Sequence, residues 1–504
     1  MERSKLRSVV ALLIAGSACA GCHGERPDVI PPPADANVPG LLPSKSPSPS
    51  PALAASTSVG DASVPSDASA PLAVEPEAES PVAPRRALDA VPPAALGTAV
   101  AANNAFAVAL FGQVRAGSAN ANLLTAPISA SLALTMAYAG ATGQTRSEMA
   151  RALHFGAAPA QTIFDGQNAL SQALLSRGPA AFALASKSYR GSKAPAVATD
   201  YELQVVNSVW GEASYSWESP FLHTLAADYG ASVYKRDFRT QAEATRQAIN
   251  AWVSKQTSNK INHLLSKEAV SPDTRLVLVN ALHLKLPWET PFRKGATSAA
   301  PFTRADKTQV STQFMNTSEE LAYVDDGSAQ IVSLPLAGRQ LSVLIALPHA
   351  GSSLEAYERS LRAGSAALLQ PKKNARVILS LPKSAFTSQA FSLKAALQAL
   401  GMKQAFEAGD AHFEGMCAHP PDDRRLFVDD IVQKTMIDVQ ETGVEAAAAT
   451  AVVMATMGAV RRRPEPAPVP MIVNRPYLIA LLDVPTGAIL MLGHITDPSQ
   501  PATN

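Results

Sequence analysis

The chain has 504 residues, 43 basic against 42 acidic, a formal net charge of +1, and 47% apolar residues. That length holds one large domain or two to three average ones, and so even a charge balance excludes a general attraction to nucleic acid or acidic lipid. Three cysteines, two of them (Cys19 and Cys22) near the N-terminus, exclude a disulfide framework and leave Cys417 with no disulfide partner in the folded part.

At the N-terminus, Arg3, Lys5 and Arg7 precede an apolar run, Val9 to Ile14, that ends in the small residues "AGSACAGCHG". This is the order of a secretory signal, and the run falls short of the roughly 20 apolar residues that span a bilayer. The ending Ala20-Gly21-Cys22 is similar to a bacterial lipoprotein box, which would make Cys22 the lipidated first residue of an envelope-anchored protein. Plain secretion is the alternative. Residues 1–22 are therefore expected to be a signal peptide. From 23 to 93 the chain is Pro-, Ala- and Ser-rich, holds 16 of the 39 prolines between Gly24 and Pro93, and has no aromatic residue there. It reads as a disordered tether, with the folded domain expected over 94–504.

Past Ala94 the texture changes. "NNAFAVALFGQV" sets Phe106, Leu110 and Phe111 on one helical face. "APISASLALTMAYAGATGQTRSEMARAL" predicts a buried helix, a Gly-rich turn and a second helix, with Thr145 and Glu148 in capping-box spacing. "ATRQAINAWVSKQT" is amphipathic, with Ile249, Trp252 and Val253 inward. "TRLVLVNALHLKLPW" is apolar enough for a central strand, "QLSVLIALP" and "RVILSLPKSAF" predict further strands, and "FSLKAALQALGM" a helix ended by Gly401. The C-terminal "PYLIALLDVPTGAILMLGHI" is two strands about a Pro-Thr-Gly turn. Helices early and strands late, without strict alternation, give an α+β class.

Enzymatic machinery is not legible. There is no G-x-S-x-G elbow, no H-E-x-x-H pair and no Cys/His spacing for a metal. "GATGQT" lacks a phosphate-binding lysine, and "PDDRR" around Asp422 reads as a solvated loop. No catalytic residue and no cofactor is expected.

The segment "ETGVEAAAATAVVMATMGAVRRRP", Glu441 to Pro464, is the informative one. Its uncharged stretch, Ala446 to Val460, is too short and too weakly apolar for a membrane span. Alanine favours a helix, but Thr450, Val452, Val453 and Thr456 are β-branched and Gly443 and Gly458 stand near the ends. As a strand, Val444, Ala446, Ala448, Thr450 and Val452 share one face and Glu445, Ala447 and Ala449 the other. Small side chains suit both a sheet interior and exposure to water, as a conditional strand requires.

On these residues the sequence resembles the serpin family from about Ala99 to Pro498. "VQETGVEAAAATAVV" is similar to the hinge of an inhibitory reactive-centre loop, "NALHLKLPWETPF" to the family's strand and turn around Trp288, and "VNRPYLIAL" to its C-terminal signature, with Tyr477 for the usual phenylalanine. The resemblance implies three β-sheets, about eight to nine helices and an exposed loop over about 441–465. It implies a monomeric suicide substrate of serine proteases, whose cut loop becomes a new central strand. It also implies a hinge of Glu441, Gly443, Val444, Glu445, Ala446, Ala447, Ala448, Ala449 and Thr450. The family's count of seventeen residues from Glu441 puts the reactive bond at Met457–Gly458, suited to chymotrypsin-, elastase- or subtilisin-like proteases. Cleavage after Arg461, Arg462 or Arg463 by a trypsin-like enzyme is the alternative. In the sheet-opening region Ser129, Asn280 and Trp288 match the family. Ala126 replaces a usual serine and Gln433 a usual histidine, so the polar network there is expected to be rewired; Leu286-Pro287 replaces a basic-Gly pair.

Overall fold

The computed structural model describes residues 83–117, 121–188, 201–361, 373–420, 425–444 and 467–500. Helices are α1 (Pro93–Val114), α2 (Pro127–Gly140), α3 (Gly143–Ala152), α4 (Ala160–Leu175), α5 (Arg177–Ser188), α6 (Ser219–Thr224), α7 (Phe238–Gln256), α8 (Leu354–Ser360) and α9 (Lys394–Ala399). Strands are β1 (Leu123–Thr125), β2 (Glu202–Glu212), β3 (Val233–Arg236), β4 (Leu276–Pro287), β5 (Ser298–Thr303), β6 (Gln309–Asp325), β7 (Ala329–Pro335), β8 (Leu341–Pro348) and β9 (Asn374–Pro382). They continue as β10 (Ser384–Thr387), β11 (Phe391–Ser392), β12 (Ile431–Gln433), β13 (Met436–Val439), β14 (Gly443–Val444), β15 (Val469–Ile472), β16 (Tyr477–Asp483) and β17 (Ala488–Ile495).

These strands form three sheets, two of them sharing the long β6. Its start pairs with β5 and β9, and β9 with β15; its end pairs with β7 in the run β7-β8-β16-β17-β1. Every residue of β8, β16 and β17 is buried, as uninterrupted Val/Leu/Ile runs covered on both faces should be. The third and main sheet runs β3-β2-β4, then β12 to β14, then β10 and β11. Sequence reading placed β4 as a central strand, and it is: β2 pairs along it from Glu202↔Lys285 to Gly211↔Leu276.

α1 is long and apolar enough by composition to cross a membrane, yet it is a core helix. Phe106, Leu110 and Phe111 are buried, and Asn103 and Asn104 donate to the carbonyls of Ile489 and Gly487 on the last strand and its turn. Buried amides must find partners, and here they tie the first helix to the last strand.

Two expectations need correction. Thr145 and Glu148 do not form a capping box, because α3 starts at Gly143 behind Thr142. Thr145 instead bonds Gln404, and the Glu148 carboxylate accepts the backbone amides of Lys403 and Gln404. The folded part also begins ahead of 94. Arg85 bonds Asn168 and Ser171, Arg86 pairs with Asp228 at 3.0 Å, and the Arg86 backbone bonds Ala227.

Candidate functional site

The site is built where β14 wedges between two long strands. Gln440 to Gly443 is a tight turn, with Gln440 N–H donating to Gly443 C=O at 3.0 Å and Gly443 N–H returning to Gln440 C=O at 3.3 Å. It sends Gly443–Val444 antiparallel to both β4 (Gly443↔Pro287, Val444↔Leu286) and β13 (Val444↔Val439). Glycine is required at 443: a Cβ there would lie 2.4 Å from Leu286 O and from Pro287 Cα. Pro287 fits the end of β4, where a lost ladder donor is tolerated.

Three successive carbonyls of the turn are held. Trp288 Nε1 donates to Gln440 O at 2.7 Å, Phe292 N to Glu441 O at 2.8 Å and Trp288 N to Thr442 O at 3.0 Å. The two rings meet edge to face with centroids 6.0 Å apart. The Glu441 carboxylate, itself buried, pairs with Lys383 Nζ at 2.9 Å and accepts from Thr297 Oγ1 at 3.0 Å. Burial pushes its pKa up, but the bonds from Lys383, its own backbone and Thr297 outweigh that and hold it below the usual glutamate value.

Beyond the wedge, β4 and β13 part. Among the described residues no ladder pair joins 280–285 to 434–438. A cavity of about 10 Å³ lies there, lined among others by Leu282, Leu284, Met436 and Ile437. That is room for about one water and far less than a strand. The sheet closes again lower down, where β12 pairs directly and in parallel with β4 (Ile431↔Leu278, Val432↔Val279).

At that closure sits Gln433, 1% exposed, whose side-chain oxygen accepts from Ala126 N at 2.9 Å and whose amide donates to Ala126 O at 3.1 Å. One amide thus brackets the backbone where α2 begins. Thr435 adds bonds to Leu124 O and Ser388. Ser129 is buried nearby, its hydroxyl without a hydrogen-bond partner. Asn280 lies on β4 opposite Asn207.

The structure thus brings Glu441, Gly443, Val444 and Trp288 together at one end of the gap and sets Gln433 at the other. Sequence reading missed Lys383 and Thr297, whose distance along the chain hides their convergence on Glu441. Cys417 is buried and forms no disulfide. Cys22, Glu445 to Thr450, Met457, Gly458 and Arg461 to Arg463 lie outside the described residues, as do the signal peptide and most of the tether.

A main sheet parted beside a hinge invites comparison with known proteins. The model of the family described as "Serpin (serine protease inhibitor)" matches residues 101–498. The chain belongs to the serpin family. Among curated relatives, human Serpin B4 is 31% identical over 404 residues, covering 79% of this chain and 98% of that protein. The leukocyte elastase inhibitor of Equus caballus is 31% identical with the same coverage. A serpin-like protein of Thermococcus kodakarensis is 34% identical over 401 residues, 79% of this chain and 85% of its own length. Among solved structures, the thermophilic serpin tengpin in its native state superposes with a TM-score of 0.68 at 25% identity, covering 84% of this chain and 97% of that one. The serpin thus sits in a family of protease inhibitors whose members include inhibitory relatives.

Proposed function

We propose that this serpin inhibits serine endopeptidases as a suicide substrate rather than acting as an enzyme. The protease serine attacks the Met457 carbonyl carbon and the Gly458 amine leaves. The new loop end then enters the main sheet before water can hydrolyse the acyl bond. Loop insertion that releases stored strain is a known switching device.

One observation carries the reading: the register of β14. Continued one residue at a time, the pairing sets Ala446 between Leu284 and Ile437, Ala448 between Leu282 and Thr435, and Thr450 between Asn280 and Gln433. Val452 then falls between Leu278 and Ile431, the two residues that already pair directly where the sheet is closed. A strand could therefore enter by lateral separation alone, with no slip of β4 against β12. Val444 shares its core with Leu282, Leu284, Leu286, Ile437 and Val439. Ala446 and Ala448 would face the same way, small residues set against large ones.

The same register bears on the scissile bond. β4 begins at Leu276, which would pair with Met454. Met457 is then three residues past the ladder, a short tether that favours crushing an attached protease. Arg461 to Arg463 would hang on a longer one, so cleavage there is the lesser reading. At roughly 1 kcal/mol net per ladder bond, a strand bonded on both sides supplies on the order of 10 kcal/mol.

The apolar Met457 suits chymotrypsin-, elastase- or subtilisin-like enzymes. The signal-like N-terminus supports secretion, with Cys22 as a lipid anchor to the cell envelope and the Pro-rich segment as spacer. Incubation with chymotrypsin, elastase, subtilisin and trypsin tests the reading. A detergent-stable complex with one of the first three, releasing a peptide that starts at Gly458, supports it. Cleavage that leaves the protease free and active overturns it. Failure of the mature protein to take up labelled palmitate removes the anchor alone.

A further inference from the structure

α1 and α8 border a groove of about 350 Å³, whose lining includes Ala105, Val108, Phe111, Arg115, His154 and Leu361 and none of the hinge residues. Its size is at the low end of the roughly 300–1,000 Å³ typical of small-molecule sites, and its lining is mostly apolar with a few polar groups.

Arg115 is the unusual member. Its side chain is only 15% exposed, and its one ion pair among the described residues, Nη1 to Glu358 Oε2, is long at 3.8 Å. Its Nε is buried without any hydrogen-bond partner. A guanidinium is always charged and carries five donors, so burying it this way is costly unless something accepts them.

Glu358 is only a distant partner for it, and its other oxygen is shared with a second group. Its Oε1 lies 2.5 Å from His494 Nδ1, while His494 Nε2 faces the carbonyl of Ala121 at 3.0 Å. A carbonyl only accepts, so Nε2 carries a proton. Arg115 is thus held by one long ion pair, with an Nε that no acceptor meets, beside an apolar floor.

We propose that this groove binds a small organic carboxylate. The carboxylate meets the guanidinium of Arg115 in a two-pronged contact, and its apolar part lies over Val108, Phe111 and Leu361. No protease or loop movement is involved, so this site stands or falls apart from the inhibitory reading.

The test is calorimetric titration of the full chain with sodium octanoate, with octanol as the uncharged control. One saturable octanoate site is expected, with octanol at least about tenfold weaker. Arg115→Gln should weaken octanoate at least about tenfold. Ala105→Phe, which fills the groove without touching Arg115, should abolish binding while leaving thermal melting close to wild type, which guards against a misfolded Arg115 variant. Absence of saturable binding at millimolar octanoate, equal binding of octanol, or undiminished binding by a folded Ala105→Phe each overturns the proposal.

Discussion

The two ends of the strand gap are built to opposite purposes. At the upper end β4 and β13 are already separated, and Trp288, Phe292 and Lys383 hold the turn at Glu441 so that Gly443 and Val444 occupy the first two rungs. At the lower end β4 and β12 touch directly, and Gln433 pins the sheet to the start of α2. The upper end is a strand begun; the lower end is a seam. Entry of further residues needs no new nucleation, only the progressive loss of a short ladder and one amide clamp.

The largest test of this contrast lies in the alternation of the incoming residues. Ala448→Arg would drive a charge toward the buried face between Leu282 and Thr435, at a cost of several kcal/mol. Inhibition should fall at least about tenfold and the protein should become a substrate. Ala447→Arg, on the outer face, should change the stoichiometry of inhibition little. Titrating active protease against each variant checks the pair, and equal damage from both would refute the register.

Gly443→Val comes next. Its side chain would collide with Leu286 and Pro287 backbone, and overpacking costs about 1–3 kcal/mol. The wedge should be expelled and inhibition slowed, seen as a lower melting temperature and a smaller rate of complex formation.

At the seam, Gln433→Leu leaves the Ala126 N–H buried without its partner, at about 1–3 kcal/mol, while the Ala126 C=O keeps the amides of Ser129 and Ala130. Melting should drop, and activity should decay faster on standing as the loop enters uncut. A variant as long-lived as wild type would mean that Gln433 does not gate the sheet.

The smallest effect is that of Glu441. Its carboxyl is held below the usual glutamate value, so its contribution is present above the unfolded-state pKa and is lost as pH falls through the depressed folded one. Wild type should therefore lose stability on acidification more than Glu441→Gln, by less than about 1 kcal/mol because Lys383 is partly exposed. Parallel melting curves from pH 7 to 3 check it.

How much of this was legible follows from what is local. The strand period over β4 and the alternation beyond Val444 are short-range patterns, and the Trp288 turn and the loop hinge carried enough motif to place them in order. The rest depends on contacts across the chain. Gln433 meets Ala126 and Glu441 meets Lys383 only after folding, so a sequence shows that the partners changed but not what replaced them. Thr145 and Glu148 show the same limit from the other side: residues three apart satisfy a capping pattern whether they bond their own helix or Lys403 and Gln404 beyond it. Arg85 and Arg86 were concealed by a Pro- and Ala-rich setting that reads as tether.

The most direct measurement is the melting temperature of the full chain before and after a single cut in the loop. With each kcal/mol worth roughly 2 °C at this size, addition of a strand worth about 10 kcal/mol should raise it by on the order of 20 °C. Unchanged melting after the cut would mean that no strand is gained, and inhibition by insertion would be contradicted.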